Sequence, residues 1–206
     1  MDPAYQDLII FWLLYLGSHS LFASHYVKDK ARKLFGEYVR YYRIIYVFVY
    51  TIALFIPALI FNRDQEWIYR PNIIAACAGI MLTAWGIWII KISFRHYSLR
   101  EFSGLYYLDK SREKEKLITT GILSRVRHPL YSATLLIITG ILLIIPSVFS
   151  LITFTCITIY TFIGIKLEEN KLVDQFGQTY LDYRKQVPML IPRLFLYNSV
   201  KKPHKK

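Results

Sequence analysis

The sequence Arg127-His128-Pro129-Leu130-Tyr131 stands where a basic, polar segment ends and a long apolar run begins. Pro129 has no N–H group and a fixed φ, so it suits the first turn of an α-helix, and His128 then falls at or next to the N-cap. The first N–H groups of a helix have no intrahelical partner, and the helix dipole adds partial positive charge there. With Arg127 beside it, this helix start is predicted to hold a carboxylate or a phosphate.

Apolar runs that could cross a bilayer lie on both sides of this stretch. The chain has 206 residues, of which 54% are hydrophobic and 17% aromatic, too apolar and too segmented for an ordinary soluble domain. A spanning helix needs about 20 apolar residues. We predict five spans, with a kink at Pro57 and a helical hairpin formed by the last two. They cover residues 5–24, 42–61, 71–92, 130–145 and 148–165.

The positive charge is confined to three segments. Of the 26 Lys and Arg residues, six lie in residues 25–43, nine in 91–127 and nine after residue 165, which is 24 in all. Five spans place these segments on one side of the membrane, which predicts the N-terminus outside and the C-terminus in the cytoplasm. Membrane topology therefore explains the net charge of +12. We expect no nucleic-acid binding, because no binding motif accompanies the charge.

The last part of the chain alternates apolar and charged residues at helical spacing. The apolar positions are Leu167, Leu172, Val173, Phe176, Tyr180 and Tyr183, which predicts an amphipathic helix or helix pair, broken at Gly177. A basic tail at 196–206 is expected to contact membrane lipids. The predicted fold is all-α: a polytopic membrane protein with five transmembrane helices and a cytoplasmic amphipathic C-terminal helix, in a single domain over 1–206. The two cysteines lie in apolar runs, and no metal site is expected.

Motifs in the C-terminal half resemble the isoprenylcysteine carboxyl methyltransferase-like family over roughly residues 115–192. These are integral-membrane enzymes that use S-adenosylmethionine, and phospholipid methyltransferases look similar. The matching motifs are Leu117-Ile118-Thr119-x-Gly121, Arg127-His128-Pro129-x-Tyr131, Glu168-Glu169-x-x-Leu172, Phe176-Gly177-x-x-Tyr180-x-x-Tyr183 and Val187-Pro188. The resemblance implies a membrane-embedded, S-adenosylmethionine-dependent methyltransferase.

The resemblance also implies which residues form the site. The helix start can take the carboxylate of the donor, and Glu168 can face its ammonium or sulfonium. The predicted catalytic residues are Arg127, Glu169 and His19. The predicted cofactor-binding residues are Leu117, Ile118, Leu123, His128, Pro129, Leu130, Tyr131 and Glu168. Methyl transfer mostly needs the nucleophile and the sulfonium aligned and water excluded, so a nucleophile–base pair is not required.

The methyl acceptor is expected to be small and apolar, or lipid-like. Prenylcysteine carboxyl methyltransferases have an arginine where this chain has Gly164, which argues against a carboxylate held by a bidentate fork. The N-terminal half, with His19-Ser20, Lys28 and Tyr42-Arg43-x-x-Tyr46, resembles methanethiol methyltransferases and NnrU-type membrane proteins. We therefore rank a thiol above a prenylcysteine carboxylate, and a phospholipid amine third.

The alternative function is a non-enzymatic membrane protein that binds haem or a quinone. His19, His25, His96 and His128 could supply axial ligands. Haem between helices would need two histidines deep in facing spans, and only His19 lies within an apolar run. His19 is therefore considered mainly as a catalytic candidate, because a polar residue embedded in a span is costly and usually functional.

Overall fold

The computed structural model describes residues 2–61, 66–94 and 117–193, and this part of the chain is helical, without a named strand. We number its α-helices α1 to α8. They are α1 (Pro3–Ala23), α2 (His25–Phe35), α3 (Val39–Ala53), α4 (Ile56–Ile60), α5 (Ile73–Ser93), α6 (Pro129–Ile144), α7 (Val148–Phe176) and α8 (Gln178–Gln186). Short 3-10 helices cover Gly36–Tyr38 and Gly121–Ser124. Residues 95–116 and the predicted lipid-binding tail 196–206 lie outside the described residues.

Local sequence explains where these helices begin and end. Helix α6 begins at Pro129 with His128 as its N-cap, as predicted. The Ser147 side chain caps α7 by accepting a hydrogen bond from the N–H of Ser150 (3.2 Å). Helix α7 ends at Gly177, whose φ of +54° favours glycine, so the predicted break at this residue is confirmed. Helix α3 stops shortly before Pro57, where a kink was predicted.

The long helices alternate in direction. Trp12 Nε1 donates to Thr153 Oγ1 (3.2 Å) and His19 Nδ1 lies 2.7 Å from the Tyr160 hydroxyl. Both pairs are 141 residues apart, so α1 and α7 run parallel. Helix α3 is antiparallel to α1, because the Tyr46 hydroxyl bonds the carbonyl of His19 and the Tyr42 hydroxyl bonds a carbonyl later in α1. Helix α6 is antiparallel to α5 and forms the predicted hairpin with α7.

The tightest packing joins α5 and α6 through glycines. A Cβ atom added at Gly140 would lie 2.3 Å from Thr83 Oγ1 and 2.5 Å from the carbonyl oxygen of Gly79. One at Gly86 would lie 2.8 Å from the carbonyl oxygen of Ala133. Small residues of this kind let two helix backbones approach closely within a membrane. Helix α5 thus uses its glycine face against α6 and exposes the rest of its surface.

Within residues 2–61, 66–94 and 117–193, two helices, α5 and α7, are long and apolar enough to cross a membrane. A third span is reached if Pro3–Ala23 and Tyr26–Phe35, which are bent by 63°, are taken as one. The apolar helices at 44–60 and 129–144 are shorter. Large apolar side chains, such as Ile74 (81% exposed) and Met81 (71% exposed), point outward from α5, as expected of a helix in lipid. The structure supports an integral membrane protein, and the count of five spans stays a prediction.

The basic segment between the first two predicted spans contains a helix that the sequence did not predict. Residues 25–35 form α2, capped by the Ser24 side chain, which accepts a hydrogen bond from the N–H of Val27 (3.4 Å). Gly36, with a φ of +52°, ends this helix. The chain is therefore helical almost without interruption from α1 into α3. The pattern of basic residues gave a predicted side of the membrane, but it did not predict this helix.

Candidate active site

A buried ion cluster joins the start of α6 to the middle of α7. Arg127 Nε and Nη2 both contact Glu169 Oε1, at 2.9 and 2.7 Å, and His128 Nε2 lies 3.1 Å from the same oxygen. Arg184 Nε lies 3.5 Å from Glu169 Oε2. The side chains of Arg127 and Glu169 are each 8% exposed, and that of His128 is 3% exposed. The structure therefore brings together three of the predicted site residues.

The guanidinium of Arg127 is occupied by protein groups on all sides. Besides Glu169, its Nη1 donates to the carbonyl oxygens of Arg184 (3.0 Å) and Val187. The backbone N–H of Arg127 donates to the carbonyl of Pro188 (2.9 Å). A guanidinium offers five donors in a fixed fork, so these partners hold it in one orientation. Arg127 thus connects α6, α7 and the chain after α8.

Residues 187–190 form a strap alongside the start of α6. The N–H of His128 donates to the carbonyl of Met189 (3.1 Å), and Ser132 Oγ donates to the carbonyl of Leu190 (2.7 Å). Val187 is buried against this region, at 3% exposed. The Val187-Pro188 motif follows directly after α8. The strap takes up backbone donors that would otherwise face an anion at Arg127 and His128.

Electrostatics keep Glu169 ionised. Its burial acts to raise the carboxyl pKa, but hydrogen bonds from Arg127 and His128 outweigh burial and hold the pKa below its usual range. The Tyr180 hydroxyl is buried without a hydrogen-bond partner among the described residues. Burial, together with the nearby negative charge of Glu169, raises the pKa of Tyr180 to about 12. The cluster therefore combines a fixed carboxylate with a neutral phenol.

The neighbouring carboxylate, Glu168, faces a different surface. Its side chain is 46% exposed, and Oε2 lies 3.8 Å from His128 Nδ1. The ring of Tyr131 lies 5.7 Å from that of His128. A Cβ at Gly164, one turn before Glu168, would lie 3.5 Å from the Tyr131 hydroxyl. Glu168, His128, Tyr131 and Gly164 therefore line one surface, which we call the Glu168 face.

A cavity of about 290 Å³ lies on the other side of α7. Its charged lining residues are Lys166, Glu169 and Arg184, and its apolar ones include Ile165 and Met189. Cationic and anionic groups thus lie beside apolar side chains around one space.

The remaining predicted cofactor-binding residues lie in the segment that precedes α6 and in the first turn of that helix. Leu123 is buried, at 4% exposed, and its carbonyl accepts a hydrogen bond from the Tyr183 hydroxyl (2.6 Å). Leu117 and Leu130 are half-buried, and Ile118 is exposed. Pro129 is fully buried at the first position of α6. Their assignment to cofactor binding stays a prediction.

The third predicted catalytic residue, His19, lies in a separate cluster. Its Nδ1 is 2.7 Å from the hydroxyl of Tyr160 on α7, and Ser20 Oγ is 3.0 Å from the same hydroxyl. The rings of Tyr46 and Tyr50 lie 5.3 and 5.0 Å from the imidazole. The structure thus does not place His19 in contact with the Arg127–Glu169 cluster. His96 lies outside the described residues, and the side chain of His25 is not described.

Comparison with protein families shows the family to which the chain belongs. The profile described as "Phospholipid methyltransferase" matches residues 74–179, which contain α5, α6, α7 and the whole Glu168 face. The chain belongs to the phospholipid methyltransferase family. This membership agrees with the resemblance drawn from the sequence motifs, which lie mostly within the matched region.

Named relatives of this family member are methyltransferases. A methanethiol S-methyltransferase of Crocosphaera subtropica is 36% identical over 129 residues, covering 59% of this chain and 49% of the relative. Protein-S-isoprenylcysteine O-methyltransferase B of Arabidopsis thaliana is 32% identical over 143 residues, covering 68% of this chain and 65% of the relative. The chain spans about half the length of the methanethiol S-methyltransferases it matches over long stretches. No solved structure matches it.

Two features of this phospholipid methyltransferase family member were missed from the sequence. Tyr160 was not singled out, although it lies four residues before Gly164 and eight before Glu168, and therefore on the same helix face. Arg184 was counted only as a topological charge. Its contact with Glu169 depends on the turn at Gly177, which no local pattern specifies in detail.

Proposed function

We propose that this family member is a membrane-embedded, S-adenosylmethionine-dependent methyltransferase that acts on a small apolar or lipid-like acceptor. The observation that carries the proposal is the Glu168 face, where an exposed carboxylate lies beside the start of α6 within the matched family region. S-adenosylmethionine is a zwitterion with an additional sulfonium charge. The strap occupies the N–H groups of Arg127 and His128, but the dipole of α6 remains, so Glu168 and the α6 N-terminus together offer counter-charges for both of its ends.

In this proposal the two acidic residues have different roles. Glu168 faces the ammonium or sulfonium of the donor, because its side chain is exposed. Glu169 and Arg127 act as positioning residues, because their charged groups are occupied by each other and by the strap. His128 links the two, since one ring nitrogen lies 3.1 Å from Glu169 and the other 3.8 Å from Glu168. In this proposal, Arg127 and Glu169, which were predicted to be catalytic, contribute by holding α6, α7 and the strap in position.

The acceptor is proposed to approach along the Glu168 face from the bilayer side. Gly164 has no side chain, and a Cβ atom placed on it would lie 3.5 Å from the Tyr131 hydroxyl. This position cannot supply a guanidinium for a carboxylate acceptor. The relatives include both a methanethiol S-methyltransferase and a protein-S-isoprenylcysteine O-methyltransferase. We rank a thiol first, a prenylcysteine carboxylate second and a phospholipid amine third.

Donor binding by a charge-neutral variant tests the proposal. Glu168→Gln should weaken binding of S-adenosylmethionine by roughly tenfold to a hundredfold, because a charge-assisted contact contributes about 1.5–3 kcal/mol. Isothermal titration calorimetry of the purified protein measures this affinity. Lys166→Met, on the opposite side of α7, is the matched control and should bind the donor normally. The assignment is wrong if Lys166→Met loses affinity while Glu168→Gln retains it, because the donor would then occupy the 290 Å³ cavity.

Activity is tested with labelled donor and three acceptors in parallel: an alkanethiol, a prenylcysteine analogue and phosphatidylethanolamine. We expect the alkanethiol to be methylated most efficiently. Turnover of the prenylcysteine analogue alone would reverse the ranking and show that Gly164 does not exclude a carboxylate. A protein that neither binds the donor nor methylates any acceptor would refute the proposed function.

A further inference from the structure

A hydroxyl–imidazole pair lies between α1 and α7, and the proposed function does not yet use it. His19 Nδ1 and the Tyr160 hydroxyl are 2.7 Å apart, and Ser20 Oγ is 3.0 Å from that hydroxyl. A phenol oxygen has one proton and two lone pairs. With Tyr160 donating to Nδ1 and accepting from Ser20, one lone pair is left for another donor. The pair can therefore receive a proton at the tyrosine and store it on the imidazole.

The surroundings of this pair are aromatic and uncharged. Among the described residues, the titratable groups in ring contact with His19 are Tyr15 from its own helix, Tyr46 and Tyr50 from α3, and Tyr160 from α7. The hydroxyls of Tyr15 and Tyr46 donate to backbone carbonyls, at 2.9 and 3.0 Å. They are thus engaged structurally, and Tyr160 alone of the four is hydrogen-bonded to the imidazole in this part of the chain.

An apolar cavity of about 620 Å³ lies beside two of the aromatic rings that contact His19, although His19 and Tyr160 are not among its lining residues. Tyr46 and Tyr50, which contact the imidazole, also line this cavity, together with Phe22, Ile45 and Val49. Its lining is almost entirely apolar. An acceptor with an apolar body would therefore find apolar surroundings one aromatic ring away from His19.

Helix α7 connects this pair to the Glu168 face. Tyr160, Gly164 and Glu168 are four residues apart, so they lie on one face at intervals of about 6 Å along the helix axis. Gly164 places no side chain between them. The hydroxyl of Tyr131 approaches this same point. A donor bound at Glu168 and an acceptor at Tyr160 would therefore meet beside the Tyr131 hydroxyl, which packs against Gly164.

We infer that Tyr160 and His19 form the proton-accepting pair for a methyl acceptor that carries an ionisable S–H group. This inference rests on the proposed function and specifies its substrate class. The hydroxyl of Tyr160 takes the thiol proton while its own proton passes to His19 Nδ1. Ser20 holds the hydroxyl in place by its hydrogen bond.

The chemical step balances without a further reactant. The S–H bond of the acceptor breaks, and its proton ends on the imidazole through Tyr160. The sulfur electron pair forms the new bond to the methyl carbon. The bond between that carbon and the sulfonium sulfur breaks, and its electron pair returns to the donor sulfur, which leaves uncharged. The imidazolium releases its proton to water before the next turnover.

The pair would discriminate between classes of acceptor. A thiol keeps its proton near neutral pH, since a free cysteine has a pKa of about 8.5. A carboxylate is already ionised there, with a pKa of about 4, and has no use for a proton acceptor. The presence of the pair, together with Gly164, thus favours the thiol over the prenylcysteine carboxylate.

The test compares the full-length protein with Tyr160→Phe, His19→Gln and Tyr15→Phe on two thiols. One is an alkanethiol that is protonated at the assay pH, and the other is an arylthiol that is largely ionised. Tyr160→Phe and His19→Gln should lower kcat for the alkanethiol by about 100-fold or more, the lower end of the usual contribution of a general base. Their kcat for the arylthiol should fall by less than about threefold, because that proton is already lost. KM and donor affinity should stay near the wild-type values.

Tyr15→Phe is the matched control, since it removes one hydroxyl that also lies close to His19 but bonds the carbonyl of Tyr50. It should retain wild-type turnover of both thiols. Equal losses of kcat for the two thiols in Tyr160→Phe would overturn the inference, because a structural role does not depend on acceptor acidity. Wild-type transfer to the prenylcysteine analogue alone would also overturn it and leave the proposed function intact. Absence of transfer and of donor binding in the wild type would instead refute the proposed function.

Discussion

At the scale of single residues, the contact between Arg127 and Glu169 is the centre of the buried ion cluster. Glu169→Gln keeps the size of the side chain but leaves the guanidinium buried without a counter-charge. Removing one partner of a buried ion pair typically costs about 3–5 kcal/mol. We expect a clearly lower midpoint of thermal unfolding, measured in detergent. The control is Glu168→Gln, whose exposed side chain should make the midpoint change little. Equal midpoints for the two variants would contradict the structural role of Glu169.

The same carboxylate should make stability depend on pH. Its pKa is lower in the folded than in the unfolded chain, because the hydrogen bonds from Arg127 and His128 outweigh burial. The folded state therefore binds this proton less readily, and the stabilisation is full above the ordinary carboxyl pKa and lost as the pH falls through the folded value. The difference in unfolding free energy between wild type and Glu169→Gln should shrink on acidification. A difference that stays constant into the acid range would show that the charge of Glu169 contributes nothing.

The sequence predicted where along the chain this site lies, but it did not predict which of its residues are in contact. The helix start at Pro129 and the acidic pair after the apolar part of α7 follow from local chemistry, because proline and charge mark boundaries. Which carboxylate meets Arg127 could not be predicted. Glu168 and Glu169 differ by about 100° around the helix axis, and only the packing of α7 against α6 selects between them.

At the scale of helices, the contact between α5 and α6 should be the least tolerant of added atoms. Gly140→Ala brings a Cβ to 2.3 Å from Thr83 Oγ1 and 2.5 Å from a backbone oxygen. Overpacking of this kind typically costs about 1–3 kcal/mol. Gly17→Ala in α1 is the control, since a Cβ there meets nothing within 4 Å, and alanine favours a helix by about 0.5–1 kcal/mol. Thermal unfolding in detergent should separate the two variants. A stability loss in Gly17→Ala alone would contradict the described packing.

The individual helices were largely predictable, whereas their partners were not. Apolar runs and prolines gave the boundaries of α1, α5 and α6 to within a few residues. The strap at 187–190 could not be foreseen, because its hydrogen bonds join backbone groups about 60 residues apart. Such bonds leave no periodic pattern in the side chains. The pairing of α1 with α7 likewise depends on residues separated by 141 positions.

At the scale of the whole molecule, the five-span topology stays a prediction, and the alternating helix directions are compatible with it. The loop at 66–68 pairs with the connection at 146–148, so these two lie at one end of the molecule. Both were predicted to face outward. A membrane-impermeant maleimide should label Tyr69→Cys in intact cells, in a background without Cys77 and Cys156. It should label Lys185→Cys only after permeabilisation, because the basic segments are predicted to face the cytoplasm. Labelling of Lys185→Cys in intact cells would reverse the orientation.

Helix α7 is unbroken for 29 residues. Its continuity fixes the angles around the helix axis at which its functional residues point. One residue inserted between Tyr160 and Glu168 would rotate everything beyond it by about 100° and lengthen the helix by about 1.5 Å. Glu168 would then leave the line of Tyr160, and Glu169 would turn away from Arg127. A substitution in this interval changes single contacts. An insertion would change the orientation of Tyr160 relative to Glu168 and Glu169 in one step. We therefore expect its length to be more strictly fixed than its composition.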